Sequence, residues 1–146
     1  MKAQFLLDAN VLVGAIWPKH DSHQAAERWF AEYANYGWAT CPLTQLAFAR
    51  ILSNPKFHPA AIKNSAAVQL LRDNVGHPAH EFWADDITFA EALAYFAPRL
   101  TGHNQTTDAY LLGLAMHRKG KLVTFDRGVL ALAGENEAAR EALVIL

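Results

Sequence analysis

Three aspartates in this 146-residue chain, Asp8, Asp108 and Asp126, stand where carboxylates can do chemistry. Asp8 closes the apolar run Phe5-Leu6-Leu7, and Asp126 closes a second run, Leu122-Val123-Thr124-Phe125. Asp108 falls in the first turn of a helical stretch that delivers the chain to that second run. In open α/β sheets, ligands collect beyond the carboxyl ends of the strands, where helix N-termini also point. Carboxylates brought together there repel and raise one another's pKa. A divalent cation removes the repulsion, and Mg²⁺ is satisfied by one or two carboxylates plus waters and phosphate oxygens. The set therefore suits metal-assisted hydrolysis of a phosphodiester.

Each acid alone also has a plain structural use. Asp8 can cap the helix after it, with Asn10 as an alternative cap. Asp108 can complement a helix dipole, with Thr106 or Thr107 as the cap. Asp126, in Asp126-Arg127-Gly128, can form a turn. These uses are independent of one another, whereas one site accounts for all three acids. Asn10 and Thr124 are placed to orient them by hydrogen bonds.

Other candidates carry less. Asp85-Asp86 precedes a helix and reads as a cap and dipole partner. His77 and His80 lie three apart across Pro78, which disfavours a regular helix, and no second ligand pair follows to make a zinc site. An aspartyl phosphatase wants a second aspartate two residues after the first, and Asn10 stands there. No glycine-rich loop follows the first strand, which disfavours a dinucleotide cofactor. Net charge is −1 with a pI of about 6.6, so RNA contact would have to come from local patches or metal ions.

The elements that must position these residues follow from hydrophobic patterning. Strands are expected at residues 4–7, 38–41, 81–83, 121–125 and 142–146. Helices are expected at 11–17, from Asp21 or Ser22 to about 36, and at 42–52, 59–74, 88–96, 106–118 and 135–141. Gly37, Gly76, Pro98 and Gly120 supply stops. Alternation of strands and helices implies an α/β domain, residues 1–146, with a mostly parallel central sheet flanked by helices. The aromatic face Trp29, Phe30 and Tyr33 reads as core, or, where exposed, as a groove for a partner segment. Cys41, the one cysteine, excludes an internal disulfide and fits a reducing cytoplasm as a small buried hydrophobe. The apolar run before Asp8 is too short for a signal peptide or a membrane span.

With these residues in place, the motifs become recognisable. Leu6-Leu7-Asp8-Ala9-Asn10-Val11-Leu12, Thr107-Asp108-Ala109-Tyr110-Leu111-Leu112 and Leu122-Val123-Thr124-Phe125-Asp126 resemble a PIN-domain ribonuclease of the VapC toxin family. Cys41-Pro42-Leu43-Thr44, followed by Phe48, Arg50 and Ile51-Leu52-Ser53-Asn54-Pro55, is similar to that family's central motif. The resemblance runs through the whole chain in order. It implies a PIN-like fold and a Mg²⁺- or Mn²⁺-dependent endoribonuclease, with Asp8, Asp108 and Asp126 as metal ligands. It also implies a homodimer neutralised by a small VapB-type antitoxin. The family pattern has a glutamate just after the central threonine, and this chain has Gln45, which keeps a carbonyl oxygen but brings no charge. Three explanations stand side by side: a weaker natural nuclease, a non-catalytic relative that binds RNA or antitoxin, or a deliberately inactivated copy. Arg50 can position a phosphate or simply face solvent.

Overall fold

The computed structural model describes residues 2–146. Five short strands, β1 (Phe5–Leu7), β2 (Trp38–Thr40), β3 (His80–Phe82), β4 (Lys121–Thr124) and β5 (Leu143–Ile145), form one sheet in the order β3-β2-β1-β4-β5. All four pairings are parallel. The chain builds outward from β1 through β2 to β3, then returns to lay β4 and β5 on the other side. That reversal makes the gap between β1 and β4 a topological switch point.

Alternate side chains of the strands feed two cores, as a period of two requires. Leu6, Ala39 and Leu122 pack on one face, against α5 (Phe89–Ala94), α6 (Thr106–His117), α7 (Gly128–Ala133) and α8 (Glu137–Glu141). Phe5, Leu7, Trp38 and Val123 pack on the other, against α1 (Ala9–Ile16), α2 (His23–Tyr33), α3 (Pro42–Leu52) and α4 (Asn64–Val75). A β1 buried on both faces explains why its sequence is an unbroken apolar run. On α2, Ala26 and Trp29 are buried and Ala25 is exposed; Trp29 meets Phe5 edge-on at 5.1 Å and stacks on Tyr33 at 5.5 Å. Cys41 is fully buried, and burial pushes its thiol pKa up, as expected of an inert packing residue.

The structure departs from the sequence expectations at element ends. The α2 helix stops at Tyr33 and the chain tightens into a 3₁₀ turn, Ala34–Tyr36. Gly37 then turns the chain at φ 92°, where a Cβ would lie 2.6 Å from Ala3 Cα. The α4 helix begins at Asn64 rather than near 59, and β3 is His80–Phe82 rather than 81–83. Asp85 and Asp86 do not cap α5. Thr88 does, in a reciprocal pair with Glu91 at 3.0 and 2.9 Å, while Asp86 meets Arg118 at 3.2 Å. The turn at Asp126 runs on into α7, which the patterning did not separate from the following loop. Among the described residues, no helix is long and apolar enough to cross a membrane.

The helix that carries Asp108 is buried nearly all round, from Ala109 to Ala115, which is why it lacks an apolar stripe. It can approach α5 this closely only because residue 113 is glycine: a Cβ there would collide with the Ala92 backbone. Alanine at 113 gains about 1 kcal/mol of helix propensity. Separating two packed helices costs about 1–3 kcal/mol. Gly113→Ala is therefore expected to lower the thermal midpoint and Gly113→Val to lower it further; an unchanged midpoint for both would show that α5 and α6 are not held in contact there.

Candidate active site

The C-terminal ends of β1 and β4 lie side by side, with Leu7 opposite Val123 and the Asp8 amide donating to the Val123 carbonyl at 2.9 Å. Beyond them the chain diverges. Helix α1 leaves Asp8 onto one face of the sheet and α7 leaves Asp126 onto the other. Asp8 and Asp126 are thereby left at the mouth of the gap.

Thr124, the last residue of β4 and fully buried, ties the two together. Its hydroxyl donates to Asp8 Oδ2 at 2.7 Å, a length typical of a charge-assisted bond, and accepts the Asp126 amide at 3.0 Å. Asn10 adds a longer contact from Nδ2 to Thr124 Oγ1 at 3.5 Å and receives the Phe125 amide at 3.4 Å. Thr124 thus orients the acids directly, whereas Asn10 touches only Thr124 and the Phe125 amide. The structural uses of the acids are present too. Asp8 Oδ1 accepts the Ala9 amide at 2.8 Å, and Asp126 Oδ1 accepts the Gly128 amide at 2.8 Å in a turn that opens α7. Yet the Asp8 bond reaches the first helical amide, not the second or third that a capping side chain ordinarily serves.

Asp108 is half-buried in the first turn of α6. An acid serving only a helix dipole is held below its ordinary pKa. Asp108 is instead pushed up to about 6, first by burial and then by the charges of Asp8 and Asp126. Asp8 is also raised, mainly by burial and in smaller part by Asp126, against the lowering bonds from Thr124 and Ala9. The three aspartates, 100 and 118 residues apart as Asp108 and Asp126 are from Asp8, therefore share one electrostatic environment. Among the described residues, no three His, Cys, Asp or Glu side chains stand at ligand spacing. Mutual repulsion favours such a spread, and Mg²⁺ needs only one or two direct carboxylates. An all-oxygen, all-anionic donor set fits a hard cation such as Mg²⁺ or Mn²⁺ and not a thiolate- or imidazole-seeking metal.

Gln45, half-buried in the first turns of α3, is not drawn into the aspartate hydrogen bonds. Its Nε2 donates to Thr40 Oγ1 at 2.9 Å, and the same hydroxyl meets His80 Nε2 at 2.8 Å. Sequence reading weighed His80 only as half of a zinc pair with His77 and missed Thr40 altogether. Forty residues separate Thr40 from His80, and only the β2–β3 pairing brings them together. Arg50 is exposed in the last turn of α3, the solvent-facing one of its two readings.

The PIN domain family model matches residues 5–135. Ribonuclease VapC38 of Mycobacterium tuberculosis (strain ATCC 25618 / H37Rv) is 42% identical over 97% of this chain and 99% of its own. Ribonuclease VapC44 of the same species (strain CDC 1551 / Oshkosh) is 36% identical over 97% and 98%. The solved VapBC2 from Rickettsia felis, bound to a DNA fragment from its promoter, superposes with a TM-score of 0.60. It covers 88% of this chain and 92% of that one at 13% identity, a likeness of fold. With the aspartates set at the switch point of such a sheet, the chain belongs to the PIN domain family and, within it, to the VapC ribonucleases.

Proposed function

We propose that this protein is a Mg²⁺-dependent endoribonuclease, the toxin of a VapBC-type pair. The observation that carries the reading is the shared electrostatics of Asp8, Asp108 and Asp126, with Asp108 raised to about 6 by burial and then by the charges of the other two. These three would hold the cation, which supplies a water of lowered pKa and neutralises charge on a scissile phosphate. Mn²⁺ is the natural substitute, because it takes the same oxygen donors. The Thr124 hydroxyl holds the Asp8 carboxylate and the Asp126 backbone in register, so neither acid has to be ordered when RNA arrives. Gln45 contributes a neutral amide where relatives of the motif carry a fourth acid. That substitution favours one alternative, a PIN protein that binds RNA or antitoxin without efficient cleavage.

The partner reading has its own support. The aromatic face of α2 is largely core, but Leu46 and Phe82 are 64% and 52% exposed. They line a groove of about 380 Å³ with Pro42, Gln45, Ala49, Val68 and Leu71, beside the open edge of β3. Exposed apolar surface next to an unpaired strand edge suits an amphipathic antitoxin segment. A homodimer and a cytoplasmic setting complete the proposal.

Three measurements test it. Purified protein with Mg²⁺ should cut single-stranded RNA, and Asp8→Asn should slow cleavage at least ~100-fold, about 2.7 kcal/mol of transition-state stabilisation. RNA binding with no cleavage in Mg²⁺ or Mn²⁺ would select the impaired alternative.

Stability should report the site without any substrate. The folded protein holds the Asp108 proton more tightly than the unfolded chain, so ionising it costs stability. That cost is absent below the ordinary value of 3.8, grows as pH rises and is complete above about 6. In chelator at pH 7.5, Asp108→Asn should raise the thermal midpoint by roughly 2–4 °C, the gain fading as pH falls from 6 toward 4. Mg²⁺ should stabilise the wild type and do little for the variant. A variant less stable at pH 7.5 would make Asp108 a structural residue.

For the partner, Leu46→Glu should weaken capture of the small protein encoded beside this gene at least tenfold and leave RNA cleavage intact. Sedimentation of the chain alone reads the dimer in the same preparation, and undiminished capture would move the docking site elsewhere.

A further inference from the structure

Helix α1 carries the acidic edge at one end and a cluster of rings at the other. Asp8 stands before its first residue and Trp17 after its last. The Trp17 indole meets His58 edge-on at 5.0 Å and lies 6.4 Å from Phe57 with the planes 35° apart, while Phe57 stacks on His20 at 5.9 Å. The cluster adjoins the acids. A Cβ on Gly14 would lie 3.5 Å from His20 Nδ1 and 3.6 Å from Phe125 Cε2, so both rings rest against that bare stretch of α1. Phe125 immediately precedes Asp126 and gives its amide to Asn10. Asp8 and Trp17 are nine residues apart, which at ~1.5 Å each is roughly 13 Å. At ~3.4 Å per stacked nucleotide, that distance spans about four nucleotides.

The core does not account for Phe57. Trp17 is buried, but Phe57 is 43% exposed and both histidines are half-buried. The segment 53–63 that presents Phe57 is nonetheless held. Asn54 accepts the Lys56 amide on its side chain at 3.0 Å and the Phe57 amide on its carbonyl at 2.9 Å, and the Ile62 amide donates to the Leu52 carbonyl at 3.0 Å. A ring already fixed at the surface loses little freedom when a ligand packs on it. The histidines are fixed too. The Ser22 amide donates to His20 Nδ1 and the Ala60 amide to His58 Nδ1, each at 3.0 Å. A backbone N–H only donates, so in each ring the hydrogen lies on Nε2, which takes no partner among the described residues. Burial holds the His20 pKa below the ordinary value against the pull of Asp21, which keeps that ring a neutral donor.

Lys19 and Lys56, the chain neighbours of His20 and Phe57, are exposed and enter no ion pair among the described residues. Of the acids nearby, Glu27 is paired with His23 at 2.9 Å and Asp21 remains. An amphipathic peptide asks for a continuous apolar face. Here an exposed ring alternates with neutral donors and unpaired cations, which is what a single-stranded nucleic acid asks for. We propose that the cluster is a subsite for the substrate strand, with an unpaired base stacked on Phe57 and the adjoining phosphates on Lys19 and Lys56, about four nucleotides from the scissile bond. This rests on the reading that the chain is a ribonuclease, and it names where the strand lies.

The test is binding of a short single-stranded RNA carrying 2-aminopurine, whose fluorescence falls when its ring stacks, in chelator, where a Mg²⁺-dependent enzyme does not cut. Phe57→Leu keeps the apolar bulk and loses the aromatic face. It should weaken binding at least about tenfold and abolish the quench, and Phe57→Trp should restore both. Replacing Lys19 and Lys56 together by alanine should make the salt dependence of log affinity shallower by about 1.4, the counterion release of two phosphate contacts to a single strand, whereas Phe57→Leu keeps the wild-type slope. In Mg²⁺ the loss in Phe57→Leu should fall on KM rather than kcat, because the subsite holds substrate and transition state alike. Wild-type affinity and quench in Phe57→Leu overturn the proposal, and so does an unchanged salt slope in the lysine pair, which needs no core residue to be altered. A loss confined to capture of the small protein encoded beside this gene, with RNA binding intact, assigns the cluster to that partner and overturns it as well. A wild type that binds RNA without cutting it removes the nuclease reading, while the same titrations still decide the subsite; a wild type that binds no RNA removes the subsite.

Discussion

Parallel pairing of β1 with β4 is the contact from which the acidic edge hangs. Leu7 opposite Val123 sets the register, and one residue further along Asp8 comes level with the Thr124 hydroxyl. A slip of β1 by one residue would turn Leu7 to the opposite core and break that bond together. The same register lets α1 and α7 leave on opposite faces, so the gap between their starts stays open for a ligand.

Holding three carboxylates at such a gap works against folding. Burial and mutual repulsion both disfavour the ionised forms, and Thr124 and the Ala9 amide offset only part of the cost at Asp8. At Asp108 every contribution raises the pKa. The rest of the architecture supplies the compensation: β1 is buried on both faces, and α6 is packed almost all round with Gly113 against Ala92. Under the proposed function, a bound cation would relieve that repulsion and so stabilise the folded chain.

Two buried threonines at strand ends organise the polar side of the sheet in different ways. Thr124, ending β4, donates to a charged group, and Thr40, ending β2, links two neutral ones. They flank β1 from either side. The anionic half of the edge is thereby separated from a half in which Gln45 and His80 both meet the Thr40 hydroxyl. A threonine suits both places because its hydroxyl gives one hydrogen and takes two, and its methyl packs in a β-rich core.

Much of this was legible without coordinates. The order of strands and helices, the apolar β1, the glycine stops and the placing of Asp8, Asp108 and Asp126 at element ends all follow from local pattern, since burial periodicity and backbone preference act within a few residues. Element ends were less legible: Thr88 outcompeted Asp85 and Asp86 because Glu91 could answer it, and α7 hid behind a turn signal at Asp126. What local pattern could not contain is which distant residues meet. Nothing near Thr40 announces His80, and nothing near Asp108 announces a pKa of about 6, because the first depends on strand pairing and the second on burial and on the charges of Asp8 and Asp126. The sequence by itself determined which chemical groups this protein owns and which elements carry them. The tertiary structure alone decided which groups share a hydrogen bond or a field, because those interactions act through space and fall off within a few ångströms.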